Sequence, residues 1–138
     1  MISDKAYIDP KAKIGKNVTI YPFAYIEDDV VIGDDCVIYP YVSVMNGTRM
    51  GKGNKVFQNT VLGALPQDFN FTGEDSQLII GDQNIIRENV VINRATHSDG
   101  QTVIGNRNFA EIWNTQDWEA RQAESDEDFT AAMEDLDF

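Results

Sequence analysis

One cysteine and one histidine are all that the 138-residue chain holds of either type, and both shortages narrow the chemistry. Cys36 alone cannot close an intramolecular disulfide, and a thiol without a partner reads as a buried structural residue. His97 and Cys36 together fall short of the ligand set of a zinc site, so neither a metal nor a cofactor is expected. Long apolar runs are missing too, and no stretch is long enough to span a membrane. Met1-Ile2-Ser3-Asp4-Lys5 lacks the basic start and apolar continuation of a secretory leader. Basic residues are scarce, 11 Lys and Arg against 23 Asp and Glu. With that balance no nucleic-acid partner is expected, and the default is a cytoplasmic protein whose length suits one domain.

What the chain has in abundance is a period of six. Ile8, Ile14, Ile20, Ile26, Ile32, Ile38, Val44, Met50, Val56 and Leu62 form an unbroken aliphatic comb. Helices repeat at 3.6 residues and two-faced strands at 2, so neither accounts for it. A second comb runs two residues ahead, from Ala6 through Ala12, Val18, Ala24, Val30, Cys36, Val42, Thr48 and Asn54 to Thr60. Its members are small or β-branched, with one Asn, as a crowded interior turn requires. Three hexads make a larger unit. Gly15, Gly33 and Gly51 lie 18 apart, as do Tyr21, Tyr39 and Phe57, the pair Phe23 and Tyr41, and the pair Pro22 and Pro40. Three short strands joined by three corners close one triangular coil, and coils stack at roughly 4.8 Å. The expected fold is all-β, a left-handed parallel β-helix with one aliphatic per hexad filling the prism.

The comb leaves off after Leu62, where Asp68 and Glu74 fall on its teeth, so residues 63–74 are expected to leave the prism as a loop. It returns at Ile80, Ile86 and Ile92, skips Ser98 in a shorter loop, and returns once more at Ile104. Ala110, Gln116, Gln122 and Asp128 then occupy its positions, which places the end of the repeat at about Phe109, after roughly five coils. Charge changes at the same point. Residues 1–109 carry 13 acidic and 10 basic side chains, residues 110–138 carry 10 and 1. Two segments follow: a prism over 1–109 and an acidic tail over 110–138. Phe109, Ile112, Trp113, Gln116, Ala120 and Ala123 lie at helical spacing. A second amphipathic piece has Phe129, Met133 and Leu136, with Ser125 and Asp128 placed as its cap. An acidic tail ending on an aromatic is similar in composition to partner-docking tails, and a solvated tail is the plain alternative.

The comb, the loop Pro66-Gln67-Asp68-Phe69-Asn70-Phe71-Thr72-Gly73-Glu74 and the run Ile80-Gly81-Asp82-Gln83-Asn84-Ile85-Ile86-Arg87-Glu88 resemble the UDP-N-acetylglucosamine O-acyltransferases of lipid A biosynthesis (LpxA). The resemblance covers residues 1–109 and looks like the N-terminal part of a longer protein. It implies a homotrimer, and transfer of an (R)-3-hydroxyacyl chain from acyl carrier protein to the 3-hydroxyl of UDP-N-acetylglucosamine. It also implies that Gln67, Asp68 and Gly73 belong to the substrate-binding loop, with Asp68 helping to hold the sugar. As a residue on its own, Asp68 serves equally well as a turn former after Pro66. Asn70-Phe71 departs from the basic and aromatic pair common in relatives.

The family's general base is a histidine that follows the coil matching Val103–Phe109. Here Ala110-Glu111-Ile112-Trp113-Asn114-Thr115-Gln116-Asp117 stands instead, with no later histidine, so no catalytic residue is assigned and the chain is expected to be inactive. His97 lies a coil too early to take the role and reads as an exposed loop residue. The competing reading is a non-catalytic trimeric scaffold that presents the acidic tail to a protein partner. Arg87 and Glu88 read as a surface pair, and the outward column Tyr21, Tyr39 and Phe57 as an inter-coil stack or a subunit interface, of which the resemblance favours the interface.

Overall fold

A hexad has room for about two extended residues and one corner, and the strands are accordingly short. The computed structural model describes residues 1–111; of the residues expected in helices near the tail, Phe109 is instead in a strand, and the rest lie outside the described residues. The first coil consists of β1 (Tyr7–Ile8), β2 (Lys13–Ile14) and β3 (Thr19–Ile20), the second of β4 (Tyr25–Ile26), β5 (Val31–Ile32) and β6 (Val37–Ile38). The third is β7 (Ser43–Val44), β8 (Thr48–Met50) and β9 (Lys55–Val56), and the fourth β10 (Val61–Ala64), β11 (Gln77–Ile80) and β12 (Ile85–Ile86). The fifth is β13 (Val91–Asn93), β14 (Gln101–Ile104) and β15 (Phe109–Ala110). Every third strand pairs in parallel, giving three walls of five strands: β1-β4-β7-β10-β13, β2-β5-β8-β11-β14 and β3-β6-β9-β12-β15. This is the expected left-handed parallel β-helix.

The comb is the core. Ile20, Ile26, Ile32, Ile38, Val44, Val56, Leu62, Ile80 and Ile86 are fully buried, while Ile8, Ile14, Ile92 and Ile104 at the two ends pack against them less completely. Each buried aliphatic contributes about 1.5–3 kcal/mol relative to leaving it in water. Register shows how the loops fit. Met50 pairs with Ile80, 30 positions on, and Ile80 with Ile104, 24 positions on. The excess over an 18-residue coil is two hexads in one case and one in the other, so both excursions leave the comb in phase. Ala110 pairs with Ile86, and the last strand therefore takes in the small residue at the next tooth.

Corners need a residue in the left-handed region, and the chain supplies Asn or Asp at many of them: Asn17, Asp29, Asp35, Asn59, Asn89 and Asp99 all have φ between 49° and 66°. These residues enter that region at low cost. Phe23 and Tyr41 also adopt it, at 69° and 62°, and their rings stack at 5.5 Å. The glycines at 15, 33, 51 and 81 serve a different need. A Cβ on Gly33 would lie 2.5 Å from the Gly51 carbonyl oxygen, and one on Gly51 would run into the Asp82 carboxylate. Close coil-to-coil approach, rather than φ, excludes a side chain there.

The second comb carries a polar ladder along one corner. Asn54 Nδ2 donates to the carbonyls of Gly51 and Gly81 at 3.0 and 2.8 Å, and Asn54 Oδ1 accepts from both nitrogens of Asn84 at 2.9 and 3.0 Å. Asn84 Nδ2 also donates to Gly105 O at 2.8 Å, and its Oδ1 accepts from Asn108 N at 2.8 Å. One coil below, Cys36 donates Sγ–H to Gly51 O at 3.2 Å, and burial pushes its thiol pKa up. The single cysteine is thus a buried structural thiol, as expected.

Candidate substrate-binding loop

Residues 65–76 leave the prism between β10 and β11, and residues 94–100 leave it at the same corner one coil further on. The two excursions therefore lie side by side. Ser76 Oγ ties them by donating to Ala95 O at 2.5 Å, and Asp99 N donates to Asp75 O at 2.8 Å. Beneath them a cleft of about 360 Å³ is lined by Asp29, Asp75, Ser76, Gln77, Asp99, Gly100 and Gln101. Asp29 is already engaged there, by Arg49 at 2.5 Å. No group of acidic, Cys or His side chains among the described residues has the geometry to hold a metal ion.

Gln67 and Asp68 are exposed at the start of the longer loop and, with Pro66 and Phe69, line one shallow depression. Asp68 does what a turn former does: its Oδ1 accepts from Asn70 N at 2.8 Å and its carbonyl from Phe71 N at 3.0 Å. That role occupies one carboxylate oxygen and fixes the direction of the exposed carboxylate. Gly73 lies at the far end of the loop with φ 91° and open space where a Cβ would be, so the conformation, not crowding, requires glycine. Glu74 accepts from the Thr72 hydroxyl and from Thr72 N, the latter at 3.1 Å. Those bonds, with the nearby His97 charge a smaller cause, hold its carboxyl below the usual range. His97 is exposed on the shorter excursion, and its carbonyl accepts from Gly100 N at 2.9 Å.

Other expected features lie away from this corner. Arg87 and Glu88 form a surface pair at 2.9 Å, with the guanidinium 4.0 Å from the Phe57 ring. Tyr21, Tyr39 and Phe57 stack with centroids 5.0 and 4.6 Å apart; Tyr21 and Tyr39 are half-buried and Phe57 is only 8% exposed, so the last ring of the column presents little surface. On the prism itself, Tyr7, Phe23, Tyr25 and Tyr41 are each more than 40% exposed, and Phe69 stands fully exposed on the longer loop. Missed in the sequence were Asn46 and Arg94, which meet across 48 positions. Nothing local signals that contact.

This geometry has known counterparts. Residues 11–46 match the family described as "Bacterial transferase hexapeptide (six repeats)". Over 109 residues the chain is 50% identical to the acyl-[acyl-carrier-protein]–UDP-N-acetylglucosamine O-acyltransferase of Halorhodospira halophila, covering 78% of this chain and 42% of that one. The LpxA crystal structure from Bacteroides fragilis superposes with a TM-score of 0.77 at 53% identity, over 79% of this chain and 43% of that one. The prism matches the N-terminal part of the LpxA acyltransferases. LpxA from Acinetobacter baumannii gives a TM-score of 0.76 at 37% identity, over 78% and 42% of the two chains. The chain spans about 42% of the length of the curated LpxA relatives it matches. No helix of the described residues is long and apolar enough to cross a membrane.

Proposed function

We propose that residues 1–109 are the nucleotide-sugar-facing coils of an LpxA-type acyltransferase, with Gln67, Asp68 and Gly73 in the substrate-binding loop, and that this chain does not itself turn over. The observation that carries the reading is 50% identity, over 109 residues, to an enzyme named for acyl carrier protein and UDP-N-acetylglucosamine. Asp68 supports it chemically. An exposed carboxylate held by its own turn is preorganised to accept hydrogen bonds from sugar hydroxyls. The donor is acyl carrier protein bearing an (R)-3-hydroxyacyl thioester. The working assembly is a cytoplasmic homotrimer, in keeping with a three-sided prism and its exposed aromatic corner.

Inactivity follows from the missing base. The sugar hydroxyl must lose a proton to attack the thioester, and imidazole titrates in the right range to take it. His97, the one imidazole, sits in a surface excursion below the coil that bears the base in the family, and residues 98–138 contain no other. The test uses the full chain with acyl-acyl carrier protein and UDP-N-acetylglucosamine. The expected result is binding of the nucleotide sugar, seen by calorimetry or ligand-observed NMR, with no acylated product above background. Turnover that disappears in His97→Ala overturns the inactivity; absence of binding at millimolar nucleotide sugar overturns the substrate reading.

A further inference from the structure

A surface arginine normally runs its stem along apolar ground and puts its head into water. Arg94 does not. It begins at the base of the shorter excursion in the fifth coil and crosses beneath the longer loop to the third coil. There Nη1 donates to Asn46 Oδ1 at 2.5 Å, with Asn46 O at 3.4 Å. The side chain passes Gly47, whose Cβ position lies 3.7 Å from Arg94 Cδ and 2.7 Å from Ser76 O, the point where the loop rejoins the prism. On its other side the loop folds down, so that the Phe71 ring centre is 5.6 Å from the guanidinium carbon. Nε is buried without a hydrogen-bond partner among the described residues, as is the neighbouring Asn93 Oδ1. Arg94 is half-buried, its Nε has left water, and it forms no ion pair in those residues.

The far end of this contact is itself anchored. Asn46 N donates to Glu27 Oε1 at 2.9 Å, and Glu27 belongs to the second coil. Arg94 N donates to Ala64 O at 3.0 Å, at the residue where the loop departs. One residue thus touches the root of the loop through its backbone, the re-entry point beside Gly47 through its stem, and the middle of the loop through the Phe71 ring beside its guanidinium. Gln67, Asp68 and Asn70 hang from the segment so fixed.

We propose that Arg94 is a positioning residue of the substrate-binding loop, with Asn46 as its anchor and Phe71 as the loop side chain it seats. Arg94 acts on the nucleotide sugar only through the loop, and this role rests on the reading of that loop given above. A planar guanidinium suits the task, because it bonds in its plane and presents a face to an aromatic ring at the same time.

The experiment compares wild type, Arg94→Met, Arg94→Lys, Asn46→Ala and the Arg94→Met/Asn46→Ala double variant, all as full chains. Amide exchange is followed over residues 65–76 and over the second coil. Loss of one hydrogen bond to a charged group corresponds to about tenfold in an opening equilibrium, or more. Arg94→Met is therefore expected to speed exchange in the loop about tenfold and leave β4–β6 unchanged. Asn46→Ala should repeat the effect, and the double variant should add nothing to it. Loop exchange within twofold of wild type in Arg94→Met, or equal acceleration in every coil, overturns the proposal. In a second arm, UDP-N-acetylglucosamine binding should weaken about tenfold in Arg94→Met and recover in part in Arg94→Lys, which keeps the charge without the fork. Wild-type binding matched by Arg94→Met also overturns it. A wild type that does not bind counts against the substrate reading alone, and the exchange arm then decides the role of Arg94.

Discussion

Asn84 offers the sharpest test of what holds the upper coils together. It is fully buried in the fourth coil, and its amide makes three hydrogen bonds: to Asn54 Oδ1 at 3.0 Å, to Gly105 O at 2.8 Å, and from Asn108 N at 2.8 Å. Replacing it with Ala strips partners from groups in the third and fifth coils. A buried donor or acceptor left unmet costs about 1–3 kcal/mol. Gly105 O and Asn108 N lie towards the end of the prism, where water reaches them more readily, so the loss is discounted to about 3 kcal/mol in all. Asn84→Leu separates polarity from packing. The lower part of the same column holds Val18 and Cys36, so the corner accepts apolar side chains of moderate size. If the hydrogen bonds matter, Leu should cost about as much as Ala. Urea unfolding followed by circular dichroism at fixed protein concentration reads both, as shifts in midpoint at unchanged slope. An Asn84→Leu protein as stable as wild type would refute the ladder argument and leave packing as the sole requirement at that corner.

Two further outcomes follow from other parts of the prism. Glu74 has its carboxyl pKa lowered by the bonds from Thr72, so the folded loop favours the carboxylate; that contribution is present above the ordinary carboxylate pKa and is lost as pH falls through the lowered one. Protection of the Thr72 amide, its exchange rate taken relative to the intrinsic rate at the same pH, should accordingly fall on acidification, and Glu74→Gln should show the low protection already at neutral pH; protection independent of both would mean that the Thr72 bonds do not form in solution. The exposed pair Phe23 and Tyr41, stacked at 5.5 Å, lies outside the core. Tyr41→Glu should therefore convert the proposed trimer to monomer in sedimentation with an unchanged circular dichroism spectrum, and a trimer that survives it moves the interface to another face.

The fold was legible because the physical constraint repeats. Each inward position sees the same prism, so Ile26 and Val56, 30 residues apart, answer to one requirement, and ten such answers in a row leave no competing period. Even the two excursions were readable, since Asp68, Glu74 and Ser98 occupy teeth that an interior could not accept. The reach of Arg94 was not legible, for the converse reason. It is made once, between residues 48 positions apart, and depends on the loop being folded over it. Asn54 stood in the small-residue comb, yet its ladder could not be foreseen, because Asn84 continues the column only after the twelve-residue excursion between β10 and β11. The aromatic columns mark the boundary between the two cases. Their period showed that Tyr21, Tyr39 and Phe57 stack, but whether a ring stands in solvent depends on its angle at the corner. Phe23 and Tyr41, two residues beyond Tyr21 and Tyr39, stand exposed at corners where their own φ is positive, and that is a property of the corner which the 18-residue spacing alone does not carry.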